Sequence, residues 1–181
     1  MAEKEGQVYS TAPEDERAPE EQAVYALLER LGVEYTRVDH PAAWTMEDCR
    51  EPEKQLDVRI CKNLFLCNRQ KTAFYLLMLP ADKPFKTKDL SAQIGSARLS
   101  FAGEEFMQEF LGVQPGSVSV LGLMNDTGHR VQLLIEKEIL RDTFFGCHPC
   151  KNTSSMKIRV SDLKNVILPA IGHPYTEVSL P

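Results

Sequence analysis

The stretch ICKNLFLCNRQKTAFYLLML, from Ile60 to Leu79, decides the fold. Its two apolar runs, residues 60–67 and 72–79, are separated by the polar tetrapeptide NRQK. Two such runs joined by a short polar turn are typical of a β-hairpin. Pro80 and Pro84 follow and end the second strand, because proline cannot donate to a strand ladder. The sequence therefore predicts a hairpin at the centre of the domain.

Helices and further strands are predicted on both sides of this hairpin. The clearest helix spans Glu20 to Leu31, where apolar residues recur at helical spacing and Gly32 ends the pattern. Other helices are predicted over residues 46–55, interrupted at Pro52, and over residues 89–94, 104–111 and 161–167, the last capped by Ser161. Strands are predicted over residues 35–38, 117–124, 131–135, 144–148 and 156–160. Helices and strands do not alternate regularly, so we expect one mixed α/β (α+β) domain over residues 20–181. The polar, acidic residues 1–19 are expected to form a flexible N-terminal tail.

Composition excludes several classes of protein. The 181 residues carry 21 Lys and Arg against 26 Asp and Glu, a formal charge of -5, so the chain lacks a generally basic coat for nucleic acid. A local basic site for one RNA end remains open, whereas DNA is not expected as a partner. Apolar runs fall short of the ~20 residues of a membrane-spanning helix, and the first residues have no apolar signal core. We therefore expect a cytoplasmic protein whose five cysteines are reduced.

The tetrapeptide Cys147-His148-Pro149-Cys150 allows three interpretations. A CxxC redox pair needs a helix after the first cysteine to stabilise its thiolate, and residues 151–160 predict a loop and a strand instead. Structural zinc needs about four ligands, and no second CxxC or HxxxH pattern completes the set. The third interpretation is a loop with two incidental thiols, which leaves His148 unexplained. No metal or cofactor is expected, and the phosphate-binding patterns GxxxxGK[ST] and GxGxxG are absent from the sequence.

Two other short segments allow either a structural or a functional role. Lys62 lies in a strand that is otherwise apolar. Its side chain either faces solvent, which is a structural role, or points into a pocket, where it could hold a phosphate or carboxylate. Pro115-Gly116-Ser117 forms either an ordinary turn or a loop whose backbone a ligand can approach. Each segment alone favours the structural role.

Taken together and in order, these segments resemble the YbaK/prolyl-tRNA-synthetase-associated editing domains. The matching stretches are KNLFL (62–66), LGVQPGSVS (111–119), GLMND (122–126), GCHP (146–149) and NT (152–153). The resemblance runs from about Glu20 to about Pro174. The segments YTRVDHP (35–41) and LPAIGHP (168–174) resemble the freestanding branch of the family, which includes the ProXp-ala type. That type removes alanine from mischarged proline tRNA.

The resemblance implies a mixed, partly barrel-like sheet with flanking helices, and it assigns roles to several residues. Lys62, Gly116 and His148 are the implied catalytic residues. Lys62 matches the family lysine that holds the tRNA end, Gly116 matches the glycine loop whose backbone contacts the substrate, and His148 matches the histidine of the HP motif. Substrate contacts are implied for Asn63, Ser117, Pro149 and Asn152. The family loop often has proline four residues after the glycine, where this chain has Val120, so the shape of the loop can differ.

The resemblance also implies a reaction and a partner. The reaction is hydrolysis of the ester of a mischarged tRNA, Ala-tRNA(Pro) above others, with the tRNA's own 2′-hydroxyl assisting the attacking water. The alternatives are removal of cysteine or another small amino acid, and a regulatory module that binds aminoacyl-tRNA without turnover. The partners are the tRNA acceptor end and, as a further possibility, prolyl-tRNA synthetase. Basic residues near Lys62 could contact RNA or be ordinary solvated charges: Arg59, Lys83, Lys86, Lys88 and Arg98.

Overall fold

The computed structural model describes residues 4–181, whose strands form two sheets. In chain order the strands are β1 (Val8–Tyr9), β2 (Tyr35–Asp39), β3 (Lys62–Asn68), β4 (Phe74–Leu79), β5 (Leu99–Phe101), β6 (Val131–Glu136), β7 (Phe144–Cys147), β8 (Ser154–Arg159) and β9 (Tyr175–Val178). The helices are α1 (Pro19–Leu31), α2 (Arg50–Leu56), α3 (Thr87–Ile94), α4 (Glu104–Phe106), α5 (Lys137–Arg141), α6 (Val160–Asp162) and α7 (Leu168–Ile171). Turns of 3₁₀-helix lie at Glu47–Cys49 and Val120–Asn125, and π-helical turns lie at Met107–Leu111 and Leu163–Ile167.

The hairpin β3–β4 lies inside the five-stranded sheet, whose order is β5-β3-β4-β6-β9. Its register runs from Lys62 opposite Leu79 to Cys67 opposite Phe74. Strands β4, β6 and β9 are parallel, which makes this sheet mixed. Both faces of the hairpin are buried: Phe65 and Leu76 belong to the main core with α1, and Leu66, Leu77 and Leu79 pack with Leu90 of α3. Burial on both faces explains why the two runs are almost continuously apolar, and the predicted hairpin is confirmed.

The second sheet has the order β1-β2-β8-β7, shares the main core with the first, and is linked to it by a β-bridge. Ile60 and Gly146 form a parallel bridge, in which Cys61 N–H donates to the Gly146 carbonyl at 3.0 Å and Gly146 N–H donates to the Arg59 carbonyl at 2.9 Å. A Cβ on Gly146 would lie 3.0 Å from Ile60 Cα, so glycine permits this close approach. The mixed α/β class is confirmed, but the sheets of the described residues do not close into a barrel. Within these residues, strand pairing between the sheets is limited to this bridge, since β5 takes the outer edge of β3 only from Leu66 to Asn68 and β7 ends at Cys147.

Three local predictions were wrong. Residues 120–125 form a 3₁₀ turn instead of a strand, because Ser119 Oγ accepts a hydrogen bond from Leu121 N–H at 3.2 Å and caps the turn. Pro52 does not interrupt its helix, since it lies in the first turn of α2, where a backbone N–H is not needed. The last helical segment begins at Val160 and continues through a π-helical turn to Ile171, so Ser161 lies inside it and is not its cap.

Part of the expected N-terminal tail packs on the second sheet. Strand β1 pairs with β2, and the guanidinium of the fully buried Arg37 lies 4.5 Å from the ring centroid of Tyr9. Arg17 Nη2 lies 2.7 Å from Asp39 Oδ2 at the end of β2. The acidic composition predicts a flexible tail, whereas this segment is packed. The composition does not reveal the packing, because the partners are residues far along the chain. The domain boundary at residue 20 stays a prediction. No helix of residues 4–181 is long and apolar enough to span a membrane.

Candidate active site

A cavity of about 350 Å³ lies where the two sheets meet. It collects residues from the segment after β2, the start of β3, β5, the π-helical turn after α4, the glycine loop and the end of β7. Its lining consists of Ala43, Trp44, Thr45, Met46, Cys49, Cys61, Lys62, Asn63, Leu64, Phe65, Phe101, Met107, Gly116, Val118 and His148. Four predicted site residues, Lys62, Asn63, Gly116 and His148, are therefore brought together. The bridge between Ile60 and Gly146 accounts for this, because Lys62 and His148 each lie two residues after it.

Lys62 occupies the first position of β3 and is partly buried. Its Nζ donates a hydrogen bond to the Lys83 carbonyl at 2.5 Å. Lys83 is itself fixed by ion pairs with Glu136 at 3.0 Å and Glu138 at 3.1 Å. Burial lowers the pKa of Lys62, against the opposing effect of the Asp82 carboxylate. The cavity thus has a lysine held on a rigid strand.

Asn63 lines the cavity and has one side-chain atom without a hydrogen-bond partner. Its Nδ2 donates to the Cys61 carbonyl at 3.3 Å, whereas its buried Oδ1 has no hydrogen-bond partner within residues 4–181. Leaving a buried acceptor unsatisfied costs about 1–3 kcal/mol. A donor on a bound ligand would recover that energy.

His148 is held as a neutral ring. Its Nδ1 lies 2.8 Å from the Ser154 carbonyl, which can only accept, so Nδ1 carries the proton and Nε2 keeps its lone pair. Burial lowers the pKa of His148 to about 4, despite the opposing effect of this hydrogen bond. At neutral pH the ring is therefore a hydrogen-bond acceptor at Nε2.

A second histidine supports this orientation. Ser155 Oγ lies 3.3 Å from His148 Nδ1 and 2.8 Å from His40 Nε2. His40 Nδ1 in turn lies 2.8 Å from the Pro41 carbonyl, so it carries a proton and His40 Nε2 accepts from the Ser155 hydroxyl. The hydrogen-bonded series His148–Ser155–His40 gives each of these side chains a partner, and it fixes the orientation of the His148 ring.

Gly116 lies beneath the ring of Trp44. Its φ of +83° is a conformation that favours glycine, and a Cβ there would lie 2.8 Å from Trp44 Cε3 and Cζ3. Two independent constraints, backbone conformation and contact with the tryptophan, therefore require glycine. The backbone of the loop is left open to the cavity.

Three predicted substrate-binding residues, Ser117, Pro149 and Asn152, are buried and are not among the residues that line the cavity. Asn152 N–H donates to Ser117 Oγ at 3.1 Å, and Asn152 Nδ2 donates to the Ala43 carbonyl at 3.2 Å. Ala43 N–H returns a hydrogen bond to the Asn152 carbonyl at 2.9 Å. These contacts tie the glycine loop, the β7–β8 loop and the Trp44 segment together behind the cavity wall. Their direct contact with a substrate stays a prediction.

The CxxC cysteines do not have the surroundings of a reactive pair. Cys147 and Cys150 are both free and 1% exposed, and burial raises the pKa of each thiol to about 12. A reactive cysteine needs the opposite shift. In the part of the chain that the structure describes, no three His, Cys, Asp or Glu side chains are grouped so as to hold a metal ion.

Sequence reasoning missed the apolar wall of the cavity and its two exposed aromatic residues. Trp44 and Phe101 are 67% and 62% exposed, and Met46, Met107 and Val118 line the interior. The signal for Trp44 was present, since it is the single tryptophan of the chain and lies after His40-Pro41, between the strand predicted over residues 35–38 and the helix predicted over residues 46–55. The other lining residues carry no such signal, because only the packing of distant segments brings them together.

Comparison with known proteins shows the family of this chain. A family model described as the aminoacyl-tRNA editing domain matches residues 40–166. This chain belongs to the aminoacyl-tRNA editing domain family. Residues 40–166 contain each predicted site residue, the histidine pair and Trp44.

Several relatives extend the similarity over most of the chain. Prolyl-tRNA editing protein ProX of Acetoanaerobium sticklandii is 30% identical over 159 residues, which are 88% of this chain and 96% of that protein. Prolyl-tRNA synthetase associated domain-containing protein 1 of Danio rerio is 33% identical over 138 residues, 75% of this chain and 74% of that protein. A crystal structure described as a trans-editing enzyme for prolyl tRNA synthetase superposes with a TM-score of 0.67 at 16% identity, covering 91% of this chain and 98% of that one. At that identity the superposition shows a shared fold.

Proposed function

We propose that this chain hydrolyses the ester of mischarged aminoacyl-tRNA, and that its substrate is Ala-tRNA(Pro). Membership of the aminoacyl-tRNA editing domain family supports the reaction, and the name of the Acetoanaerobium sticklandii relative supports proline tRNA. The observation that carries the proposal is the convergence of Lys62, Asn63, Gly116 and His148 in one cavity. Those residues come from three segments that are far apart in the sequence.

The chemistry that these residues supply is orientation and hydrogen bonding. Ester hydrolysis needs a positioned water and donors for the oxyanion that develops. The exposed backbone at Gly116 and the ammonium of Lys62 are suited to the substrate's oxygens, and neutral His148 can accept a hydrogen bond from the water or from a ribose hydroxyl. The buried Oδ1 of Asn63 lacks a partner and could accept from a donor such as the 2′-hydroxyl or the α-ammonium of the amino acid if the bound substrate reaches it. Positioning of this kind contributes several kcal/mol to a rate.

A protein nucleophile is not part of the proposed mechanism. Cys49 and Cys61 line the cavity, but burial raises the pKa of both thiols, that of Cys49 to about 11, so they stay protonated. The vicinal 2′-hydroxyl of the terminal adenosine therefore assists the attacking water. The reaction regenerates free tRNA and releases the amino acid.

The lining of the cavity supports the proposed selection for a small amino acid. Met46, Met107 and Val118 make part of its wall apolar, and its volume of about 350 Å³ is at the lower end for ligand cavities. A synthetase pocket built for proline cannot strongly exclude a smaller amino acid, so a second site that admits only small side chains removes the error. Alanine fits this requirement.

The tRNA acceptor end is the proposed partner in the cytoplasm. Lys86, Lys88 and Arg98 are exposed and available to phosphates, whereas Lys83 is paired with Glu136 and Glu138 and Arg59 with Asp142. Docking on prolyl-tRNA synthetase stays a prediction.

The test is the rate of ester loss from 3′-labelled tRNA(Pro) carrying alanine, cysteine, serine or proline. We expect alanine to be removed at least tenfold faster than proline, and Ala-tRNA(Pro) ending in 2′-deoxyadenosine to react at least tenfold more slowly. Faster removal of cysteine would assign the alternative substrate. Binding of aminoacyl-tRNA with no ester loss would replace the hydrolase by a regulatory binding module.

A further inference from the structure

Two aromatic side chains at the cavity are exposed to an extent that packing does not explain. Trp44 is 67% exposed and Phe101 is 62% exposed, and both line the cavity. Among residues 4–181, the other exposed large apolar side chain is Val8 on β1, which does not line it. Large exposed aromatic residues beside a site mark a binding surface.

Trp44 is held in place before any ligand arrives. Asp48 Oδ2 accepts hydrogen bonds from Trp44 N–H at 2.9 Å and from Thr45 N–H at 3.0 Å. The preceding residue, Ala43, is hydrogen-bonded on both sides to Asn152, and the Trp44 ring lies against Gly116. A ring fixed in this way loses little conformational freedom on binding.

Phe101 packs against a second aromatic residue beside the cavity. It ends the edge strand β5, and its ring lies edge-on to Phe85 with a centroid distance of 6.4 Å. Lys86 follows Phe85 directly, and Lys88 is in the first turn of α3, both exposed. The surface therefore combines aromatic rings with nearby positive charge, as surfaces for single-stranded nucleic acid do.

We propose that Trp44 and Phe101 form a stacking site for the unpaired bases at the 3′ end of the tRNA, with the terminal adenine as its main ligand. The inference rests on the proposed function, which brings the ester of the terminal ribose into the cavity. The base attached to that ribose must then lie close by, at the mouth where the two rings are exposed. Stacking on aromatic side chains is how proteins bind unpaired bases without reading a duplex.

Fluorescence gives a direct test, because Trp44 is the single tryptophan of the chain. Full-length protein is titrated with an RNA microhelix that ends in CCA with a free 3′-hydroxyl, and with the same microhelix ending in CC. We expect saturable quenching by the CCA microhelix and a midpoint at least fivefold higher for the CC microhelix. Fivefold corresponds to about 1 kcal/mol.

Matched variants separate stacking from simple packing. Trp44→Phe keeps an aromatic face, so we expect a KM for Ala-tRNA(Pro) within threefold of the wild-type value. Trp44→Leu and Phe101→Leu keep apolar bulk without a ring, and we expect each to raise KM at least fivefold while kcat changes less than threefold. Val8→Ala, an exposed apolar residue outside the cavity, serves as the control and leaves both constants unchanged.

The outcomes distinguish this inference from the proposed function. Equal quenching by the two microhelices, or a wild-type KM in Trp44→Leu, overturns the stacking site even if ester cleavage is normal. Discrimination between CCA and CC without any ester cleavage supports the stacking site and overturns the hydrolase. A fluorescence change that depends on protein concentration without RNA would assign the aromatic surface to a second copy of the chain, and it also overturns the proposal.

Discussion

His148 shows how burial prepares a single residue for its role. Its imidazole is largely buried, its Nδ1 proton is donated to the Ser154 carbonyl, and its pKa falls to about 4 from an ordinary value of 6.5. A neutral ring can accept a hydrogen bond from water or a ribose hydroxyl throughout the physiological range. A histidine with its ordinary pKa would be partly protonated and would lose that acceptor.

The lowered pKa of His148 predicts a pH-dependent stability. Between pH 6.5 and pH 4 the unfolded chain binds a proton at His148 that the folded chain excludes, so this residue's contribution to stability falls as pH falls. At 1.36 kcal/mol per pKa unit the full loss is about 3 kcal/mol. Urea unfolding of wild type and His148→Gln at pH 7 and pH 4.5 measures it. We expect the loss between the two pH values to be smaller in the variant, and equal losses would contradict the assignment.

Lys62 and Asn63 show which features of a site the sequence predicts and which it does not. The lysine breaks an apolar strand, so the sequence marks it as exceptional, and the family resemblance supplies its expected role. The unpartnered Oδ1 of Asn63 has no counterpart in the sequence, because only the packed structure shows which atoms lack hydrogen bonds. Site residues with unusual chemistry are predictable, whereas the residues that enclose them are not.

At the scale of elements, the glycine loop couples backbone shape to the cavity. Gly116→Ala introduces a Cβ at a φ of +83° and 2.8 Å from the Trp44 ring, whereas Gly95→Ala at a φ of +67° meets no atom within 4 Å. Each substitution should cost about 1 kcal/mol through the backbone alone. We expect both variants to lose that stability, with Gly116→Ala also losing at least tenfold in deacylation. Equal activity of the two would mean that the Trp44 contact is unimportant, and thermal unfolding with a deacylation assay measures both.

Elements that depend on local signals were predictable. The hairpin β3–β4, helix α1 and the strands β7 and β8 follow from apolar periodicity and turn residues. Strands β5 and β9 were missed because they are short and obtain their hydrogen bonds from β3 and β6, which the local sequence does not reveal. The 3₁₀ turn at Val120–Asn125 was missed because its apolar sequence suits a strand, and the deciding contacts are the Ser119 cap and the close packing of Gly122 on Leu111.

At the scale of the whole molecule, the N-terminal segment stabilises the second sheet through charge. Arg17 is 12% exposed and pairs with Asp15, Glu21 and Asp39. Burial alone would raise the pKa of Asp39, but the hydrogen bonds and charge of Arg17 lower it overall. The segment is thus fixed by ion pairs that its acidic composition does not predict.

Removing Arg17 should therefore be costly. Arg17→Ala leaves the buried carboxylates of Glu21 and Asp39 without this partner, and we expect a loss of about 3–5 kcal/mol in the free energy of unfolding. Arg50→Ala is the control, since Arg50 and Glu47 are 70% and 68% exposed and such pairs contribute about 0–1 kcal/mol. Chemical unfolding at pH 7 compares the two. A loss below about 1 kcal/mol in Arg17→Ala would show that the segment is not fixed by this charge cluster.

The most direct test of the proposed site is the rate of ester loss from 3′-labelled Ala-tRNA(Pro) with wild type, Lys62→Ala and Lys71→Ala. Lys71 is an exposed lysine in the turn at the opposite end of the same hairpin, so it controls for loss of positive charge. We expect Lys62→Ala to lose at least tenfold in rate with its fold intact by circular dichroism, and Lys71→Ala to stay within twofold of wild type. Wild-type turnover in Lys62→Ala, or no ester loss above the uncatalysed rate in wild type, would contradict the assignment of this cavity as a deacylase site.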